Sequence, residues 1–194
     1  NKLALLVLGS ICLTANAVET APYTIVSSDG AYEVREYDGL VVASTPMTGL
    51  NYRQDRKESF QSLFKFITGS NDADQKIPMT APVLFFEMHK DNCMAFVMPA
   101  DMSLEEVPAP TNTDVMIHEV PSGQYAVFRF SGSWDPSKQL ESLAKLKMWM
   151  KQQNLNEVAG PIYAFYNSPW VPNFMKRNEV WIQTDGVISS TSFE

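Results

Sequence analysis

Histidine and cysteine are scarce in this chain, with only two of each among 194 residues. Neither His89 nor His118 has a second potential ligand at the spacing of known metal motifs, which excludes a recognisable zinc motif. Cys12 lies in an N-terminal apolar segment, so Cys93 would be the only cysteine in a chain that had lost this segment. A single cysteine forms no internal disulfide, and the hydrophobic core must therefore hold the domain together.

Basic residues are also outnumbered, since 15 Lys and Arg face 22 Asp and Glu and the net charge is −7. An acidic protein repels the phosphates of nucleic acids and of anionic lipids, so neither is expected as a partner. Apolar residues make up 45% of the chain, which can supply a substantial core at this length. The composition therefore favours one globular domain with an acidic surface.

The motifs of common enzyme classes are missing. The sequence has no Gly-x-Ser-x-Gly, P-loop or dinucleotide-binding fingerprint, and no serine has a histidine at a recognisable spacing. One enzymatic alternative is a hydrolase that uses Glu179 and a tyrosine. Glu179 lies next to Trp181 in a predicted strand and is expected to share a cavity with Tyr163, and a carboxyl group desolvated by aromatic rings can exchange protons at neutral pH. The other interpretation is a structural glutamate, bonded to the backbone or paired with Arg177.

The N-terminus has the pattern of a secretory signal peptide. Lys2 precedes an almost unbroken apolar run, Leu3 to Leu13, and a small-x-small sequence follows at Ala15 to Ala17. The run is shorter than the about 20 residues that span a bilayer. We therefore predict a signal peptide over residues 1–17 and a single mature domain over residues 18–194, secreted, periplasmic or in another extracytoplasmic compartment. Loss of Lys2 would change the net charge from −7 to −8. A short buried helix is the alternative for this segment.

Hydrophobic periodicity predicts two helices among many strands. The first runs from Asp55 to Ile67, with Phe60, Leu63 and Phe64 completing an apolar stripe. The second begins at Pro136, because proline is favoured at the first helical position. The order strand, strand, helix, strand, strand occurs twice, which predicts an α+β fold with two pseudo-symmetric β-α-β repeats. Neither repeat could bury its sheet face alone, so we expect one distorted antiparallel β-barrel or sheet flanked by two long helices.

A proline-rich loop lies between the last two predicted strands. Pro169 and Pro172 remove backbone donors, so the loop cannot extend either strand. It carries four large apolar residues followed by two cations: Trp170, Val171, Phe174, Met175, Lys176 and Arg177. One interpretation is a lid folded onto its own core. The other is one wall of a pocket for a flat, apolar, acidic ligand whose acid groups meet the cations.

Four motifs together carry a resemblance to a known family that covers about Tyr23 to Thr184. They are, in chain order, Tyr32–Tyr37 (YEVREY), Lys76–Val83 (KIPMTAPV), Tyr166–Trp170 (YNSPW) and Arg177–Trp181 (RNEVW). In this combination they resemble the SOUL haem-binding proteins. The resemblance implies a repeated β-α-β unit in a distorted eight-stranded barrel, and a monomer that binds haem or other tetrapyrroles non-covalently in an open apolar cleft. It implies binding for buffering, transport or signalling rather than catalysis.

The resemblance also implies where a tetrapyrrole would bind. In the family, the first helix and the loop before the last strand line the cleft. The corresponding residues here are Lys57, Phe60, Phe64 and Lys65 on the helix, and Trp170, Val171, Phe174, Met175 and Lys176 in the loop. Some members use a histidine as iron ligand, but neither histidine of this chain corresponds clearly to such a position. No metal ligand is therefore predicted, and His89 is kept only as a secondary candidate for the iron.

Overall fold

A computed structural model describes residues 18–47, 52–133 and 135–185, which leaves the predicted signal peptide outside the described part. Within these ranges the chain forms nine strands and two α-helices. They are β1 (Thr24–Asp29), β2 (Tyr32–Tyr37), β3 (Leu40–Pro46), α1 (Tyr52–Ile67), β4 (Val83–Met88), β5 (Asp91–Val97), β6 (Met116–Val120), β7 (Gly123–Phe130), α2 (Pro136–Gln152), β8 (Glu157–Phe165) and β9 (Asn178–Thr184). In these described ranges, no helix is long and apolar enough to cross a membrane.

The strands form one antiparallel sheet in the order β1-β2-β7-β9-β8-β4-β5-β3-β6. Tyr37 of β2 and Val120 of β6 lie near opposite ends of this order but belong to one buried cluster, so the sheet curves around its inner face. The α+β class is confirmed. Of the two predicted forms, the antiparallel sheet with two helices is confirmed and the barrel is wrong, because β1 and β6 stay at the two edges of the described sheet and no strand pairing joins them. The two pseudo-symmetric repeats stay a prediction.

The two faces of the sheet are covered differently. The inner face packs on itself, with Leu84, Ala164 and Trp181 among the fully buried residues. The outer face carries the helices, with α1 over β3 and β5, and α2 over β7 and β9. Strands β4 and β8 lie between the two helices in the sheet order, and their outer residues Val83 and Phe165 are only half-buried.

Helix α1 begins at Tyr52, earlier than predicted, and ends at Ile67 as predicted. The predicted apolar stripe is half wrong. Leu63 and Ile67 are buried, but Phe60 and Phe64 are 37% and 45% exposed. Ser59 faces the sheet instead, where its hydroxyl donates to the carbonyl of Pro46 at 3.3 Å. Because serine is small, α1 can approach the backbone of β3 at Ser59. In this orientation Phe60 and Phe64 lie at the side of the helix, partly exposed to solvent, rather than between the helix and the sheet.

Helix α2 begins at Pro136 as predicted. Asp135 is its N-cap, and its carboxylate accepts a hydrogen bond from the Ser137 backbone N–H at 2.9 Å. The buried face includes Trp149, whose Nε1 donates to Asp29 of β1 at 2.9 Å. Strand β1 is thus attached to the helix as well as to β2.

Candidate functional site

The loop between β8 and β9 presents large apolar side chains to solvent. Trp170 is 93% exposed, Phe174 79% and Met175 63%. Pro172 precedes a single 3₁₀ turn, Asn173–Met175, that carries two of these side chains. The lid interpretation is therefore wrong, because these side chains do not fold onto the core. A cluster of exposed large apolar groups is characteristic of a binding surface.

Polar contacts hold the base of this loop. The Arg177 backbone N–H donates to Asn167 Oδ1 at 2.5 Å, and the Tyr166 N–H donates to the Arg177 carbonyl at 3.3 Å. The Arg177 guanidinium lies over the Tyr166 ring, 3.9 Å from its centroid. The Lys176 ammonium donates to Asn173 Oδ1 at 3.0 Å. The two ends of the loop are thus fixed together, while its apolar tip is left uncovered.

On α1, the predicted binding residues form a second exposed apolar surface. The rings of Phe60 and Phe64 are nearly parallel, with centroids 6.0 Å apart. Phe60 also makes an edge-to-face contact with Phe96 of β5, with a centroid distance of 5.2 Å. Lys57 and Lys65, on the same helix, are both exposed. Phe60 therefore packs against the sheet, and both phenylalanine rings remain partly exposed to solvent.

Strand register relates these two surfaces to each other. Phe96 pairs with Val83, and Val83 pairs with Phe165, in one row across β5, β4 and β8. Phe60 packs on Phe96, the first residue of this row, and the loop between β8 and β9 begins just after Phe165, the last. Neighbouring strands are about 4.8 Å apart, so the row spans about 10 Å. The helix face and the base of the loop thus flank a half-buried apolar floor.

A second feature of this end of the sheet is the buried carboxylate of Glu179, which the sequence singled out as the candidate acid or base of a hydrolase. Glu179 is 0% exposed. Arg35 binds it with two hydrogen bonds of 2.8 and 3.0 Å, and Arg177 reaches it at 2.7 Å. Tyr166 and Trp181 also donate to it, at 2.9 and 2.8 Å. The sequence alternative of pairing with Arg177 is confirmed, whereas Arg35 and Tyr166, although they lie in two of the quoted motifs, were not predicted to contact Glu179.

The surroundings of Glu179 do not suit acid–base chemistry. Burial by itself would raise the pKa of this carboxyl, but the hydrogen bonds and charge of Arg35, followed by the charge of Arg177, hold the pKa below its usual value. The predicted neighbour is also wrong: Tyr163 pairs with Val180 and packs in the outer clusters, whereas Glu179 pairs with Ala164 of the inner cluster. Successive strand residues point to opposite faces, which separates Glu179 from Tyr163.

The two histidines lie apart from the loop and from the residues of α1 named above. His89 is exposed in the turn between β4 and β5 and has a positive φ of 53°. His118 of β6 is partly buried, and its Nε2 is 2.9 Å from the hydroxyl of Ser44. Burial lowers the pKa of His118, so the imidazole is neutral at pH 7. This Ser–His contact joins residues that are distant in sequence, and Ser44 is fully buried, so its hydroxyl has no access to a substrate.

The structure also contains a cavity of about 480 Å³ that sequence reasoning missed. It lies toward the other end of β4 and β8, away from the loop. Its walls come from both of these strands, from β6 and from α2, and include Phe86, Tyr163, His118 and Gln139. Among the described residues, no group of three or more His, Cys, Asp or Glu side chains could hold a metal ion, in this cavity or elsewhere.

Comparison with known proteins places this fold in a family. The model of the SOUL heme-binding protein family matches residues 18–183. The chain belongs to this family. Heme-binding protein 2 of Homo sapiens is 28% identical over 180 residues, covering 87% of each chain. Heme-binding protein 1 of Xenopus tropicalis is 26% identical over 157 residues, covering 78% of this chain and 82% of the relative.

A solved structure of very different sequence has the same fold. The C-terminal domain of EcmrR superposes with a TM-score of 0.59 at 10% identity, covering 85% of this chain and 99% of that domain. At this level of identity the likeness concerns the fold alone. The SOUL family match is thus the comparison that bears on the site, and its range includes both α1 and the loop between β8 and β9.

Proposed function

We propose that this domain binds haem or another tetrapyrrole non-covalently, between α1 and the loop that joins β8 to β9. The observation that carries the proposal is the exposure of Trp170, Phe174 and Met175 beside a half-buried apolar floor. Exposed aromatic groups on a loop with a fixed base cost solvation free energy in the unliganded protein, and a flat ligand would remove this cost. Membership of the SOUL family and the names of the relatives support the choice of a tetrapyrrole.

The residues present fit such a ligand in size and chemistry. Phe60 and Phe64 would cover one part of the macrocycle, and the loop residues Trp170 and Phe174 another, by apolar burial and ring stacking. Met175 and Val171 complete the loop surface. Cations beside these apolar groups would bind the propionates: the exposed Lys57 and Lys65 on α1, and the half-buried Lys176 in the loop. A bound haem would supply an iron centre, whereas the chain's own residues bind and orient the ring.

The chain's biological setting is part of the same proposal. We propose that the mature domain acts as a monomer in an extracytoplasmic compartment, after removal of residues 1–17. Binding without catalysis would serve to buffer, transport or sense a tetrapyrrole. The net charge of −7 disfavours nucleic acid as a partner. The hydrolase alternative receives no support, because the carboxylate that it requires is fully buried and bound by two arginines.

Titration of the mature domain with haem, followed by the Soret band, tests the proposal. Iron-free protoporphyrin provides a second ligand that cannot use iron ligation. Wild type is expected to bind both ligands. Trp170→Ala and Phe60→Ala are each expected to weaken both, by roughly 1–3 kcal/mol, the scale of burying one large side chain.

Leu140→Ala is the matched control, because Leu140 is 67% exposed on α2 and belongs to neither of the two proposed surfaces. Its affinities for haem and protoporphyrin should equal those of wild type. Absence of binding to both ligands in wild type would overturn the proposal. So would equal losses in the Leu140 and Trp170 variants, since that result would indicate nonspecific adsorption to any exposed apolar group.

A further inference from the structure

The tip of the loop between β8 and β9 is exposed far more than the apolar surface of α1. Phe60 and Phe64 are 37% and 45% exposed, so protein holds them on one side. Trp170, Phe174 and Met175 are 93%, 79% and 63% exposed, and Trp170 therefore contacts almost no other part of the domain. A flat ligand lying on the half-buried floor would cover one side of such groups. Their exposure on several sides fits a surrounding that encloses the tip.

The backbone of this tip leaves few N–H groups unpaired. Pro169 and Pro172 have no N–H group. The N–H groups of four other residues donate within the loop at distances between 2.9 and 3.3 Å: Trp170, Val171, Met175 and Lys176. An unpaired backbone N–H is costly in an apolar surrounding, so a segment that enters lipid must pair its own donors. The two prolines and the four bonded residues thus suit the tip to the surface layer of a bilayer.

Acidic side chains are absent from the sequence of this loop. Residues 166–178 contain Lys176 and Arg177 but no Asp or Glu. The Arg177 guanidinium is paired with Glu179 at 2.7 Å, and the Lys176 ammonium donates to Asn173. Both cations are thus engaged by neighbouring groups, while the chain as a whole has a net charge of −7. This net charge opposes attraction to anionic lipid, so contact with a lipid layer would depend on the apolar tip.

A second copy of this chain is a less suitable partner than a lipid layer. A stable dimer buries about 800 Å² on each partner. A large aromatic side chain buries about 150–250 Å², so the two aromatic groups and the methionine of the tip offer roughly 600 Å² at most. Phe174 and Met175 also lie on a single 3₁₀ turn, Asn173–Met175, rather than on a flat face. A bilayer needs no matching surface, because its lipids rearrange around an inserted group.

We propose that this tip inserts into the interface of a zwitterionic phospholipid bilayer and docks the unliganded domain there. Trp170 lies at the level of the headgroups, which indole rings favour because they combine an apolar body with a polar N–H. Phe174 and Met175 reach the boundary with the acyl chains. Arg177, at the fixed base of the loop, stays on the water side. The docking does not depend on tetrapyrrole binding, so the two proposals can fail separately.

Co-sedimentation with phosphatidylcholine vesicles tests the proposal. The protein is expressed from Val18 onward, because the apolar run Leu3 to Leu13 would itself bind lipid, and it retains the whole SOUL match. Wild type is expected to bind the vesicles in the absence of haem. Trp170→Ala should lower the partition coefficient at least about 10-fold, since the burial of one large apolar side chain is lost.

Two methionines of similar exposure provide a matched pair of variants. Met175 in the loop is 63% exposed, and Met148 on α2 is 61% exposed. Met175→Ala should weaken vesicle binding, whereas Met148→Ala should leave it unchanged. Phe60→Ala, which is expected to weaken haem binding, should also leave vesicle binding unchanged. This difference separates the lipid contact from the proposed tetrapyrrole site.

Quenching by phosphatidylcholine with brominated acyl chains locates the inserted side chain. Trp149 and Trp181 are buried, so the quenching is expected to come mainly from Trp170 and to be largely lost in Trp170→Phe. The proposal is overturned if wild type does not bind the vesicles, if Met148→Ala and Met175→Ala weaken binding equally, or if binding requires anionic lipid and disappears at high salt. A dimer in analytical ultracentrifugation that Trp170→Ala dissociates would also overturn it, since a second copy would then cover the tip.

Discussion

Arg35 and Glu179 form a bidentate ion pair inside the sheet, although 144 residues separate them in sequence. The Arg35 Nη1 and Nη2 atoms are 2.8 and 3.0 Å from the two carboxylate oxygens, and both side chains are almost completely buried. The guanidinium also lies 4.1 Å from the centroid of the Tyr23 ring. The pair thus joins the strands β2 and β9 to the segment before β1. It also keeps Glu179, on the strand that follows the loop, in its ionised form.

Removal of the carboxylate should strongly destabilise the domain. Glu179→Gln removes the fully buried counterion of Arg35 and leaves it only the partly exposed Glu33, and breaking a buried pair typically costs about 3–5 kcal/mol in the free energy of unfolding. Urea denaturation at pH 7 measures this loss. Glu33→Gln is the matched control, because Glu33 also pairs with Arg35 but is partly exposed, and its loss should be clearly smaller. Equal stability of Glu179→Gln and wild type would contradict a structural role.

The stabilisation by Glu179 should depend on pH in a defined direction. Its pKa in the folded state is lower than the value of 4.5 for an unperturbed glutamate. The unfolded state therefore binds the proton first as the pH falls, so the contribution is present above about pH 4.5 and is lost below it. The difference in unfolding free energy between wild type and Glu179→Gln should therefore shrink from pH 7 toward pH 3. A difference that grows as the pH falls would contradict this.

Alkaline pH should destabilise the domain through its buried tyrosines. Burial raises the pKa of Tyr125 to about 12, and its hydroxyl donates to the Pro121 carbonyl at 2.7 Å. Between pH 10 and that value, the unfolded chain loses the phenolic proton while the folded chain keeps it, so stability falls as the pH rises. Thermal unfolding from pH 8 to 11 should show a shallower decline for Tyr125→Phe than for wild type. An identical decline in stability for the two proteins would contradict the attribution of this pH dependence to Tyr125.

Local patterns in the sequence predicted the local elements well. Pro136 marked the start of α2, and the prolines of the loop indicated correctly that it leaves the sheet. The side of α1 that faces the sheet was not predictable in this way, because the apolar stripe does not show that Ser59 contacts Pro46 while Phe60 stays partly exposed. Only the packing of the helix on β3 decides which side of the stripe is buried.

Contacts between distant residues were the part that the sequence could not provide. Glu179 stood out because of its aromatic neighbours, but the sequence could not show that Arg35 lies opposite it, since that depends on the strand order β2-β7-β9. The same is true of Ser44 and His118, which meet because β3 pairs with β6. The cavity near Gln139 is lined by residues of β4, β6, β8 and α2, which are far apart in the sequence, so no local pattern encodes it. The apolar residues of the loop could be noticed because they are adjacent in the sequence, whereas those of α1 were named only through the family resemblance, and the binding surface that combines them stays a proposal.

Cys93 should be unreactive in the folded protein. It is 1% exposed on β5, and burial raises the pKa of its thiol, so both access and thiolate population are low at pH 7. In a protein expressed from Val18 onward, where Cys93 is the only cysteine, labelling with a disulfide reagent such as DTNB should be slow in buffer and complete in denaturant. Rapid stoichiometric labelling of the folded domain would contradict this burial.

Iron ligation by histidine should contribute little to haem binding. His89 is exposed in a turn, and the Nε2 of His118 is engaged by Ser44 at the far end of the sheet from the loop. We therefore expect His89→Ala and the double variant with His118→Ala to bind haem and iron-free protoporphyrin with nearly the affinities of wild type. Urea denaturation of both variants serves as the control for folding, since His118 is partly buried. Loss of haem binding in a folded histidine variant, with protoporphyrin never binding to any form, would show instead that an axial ligand rather than the apolar surface holds the ligand.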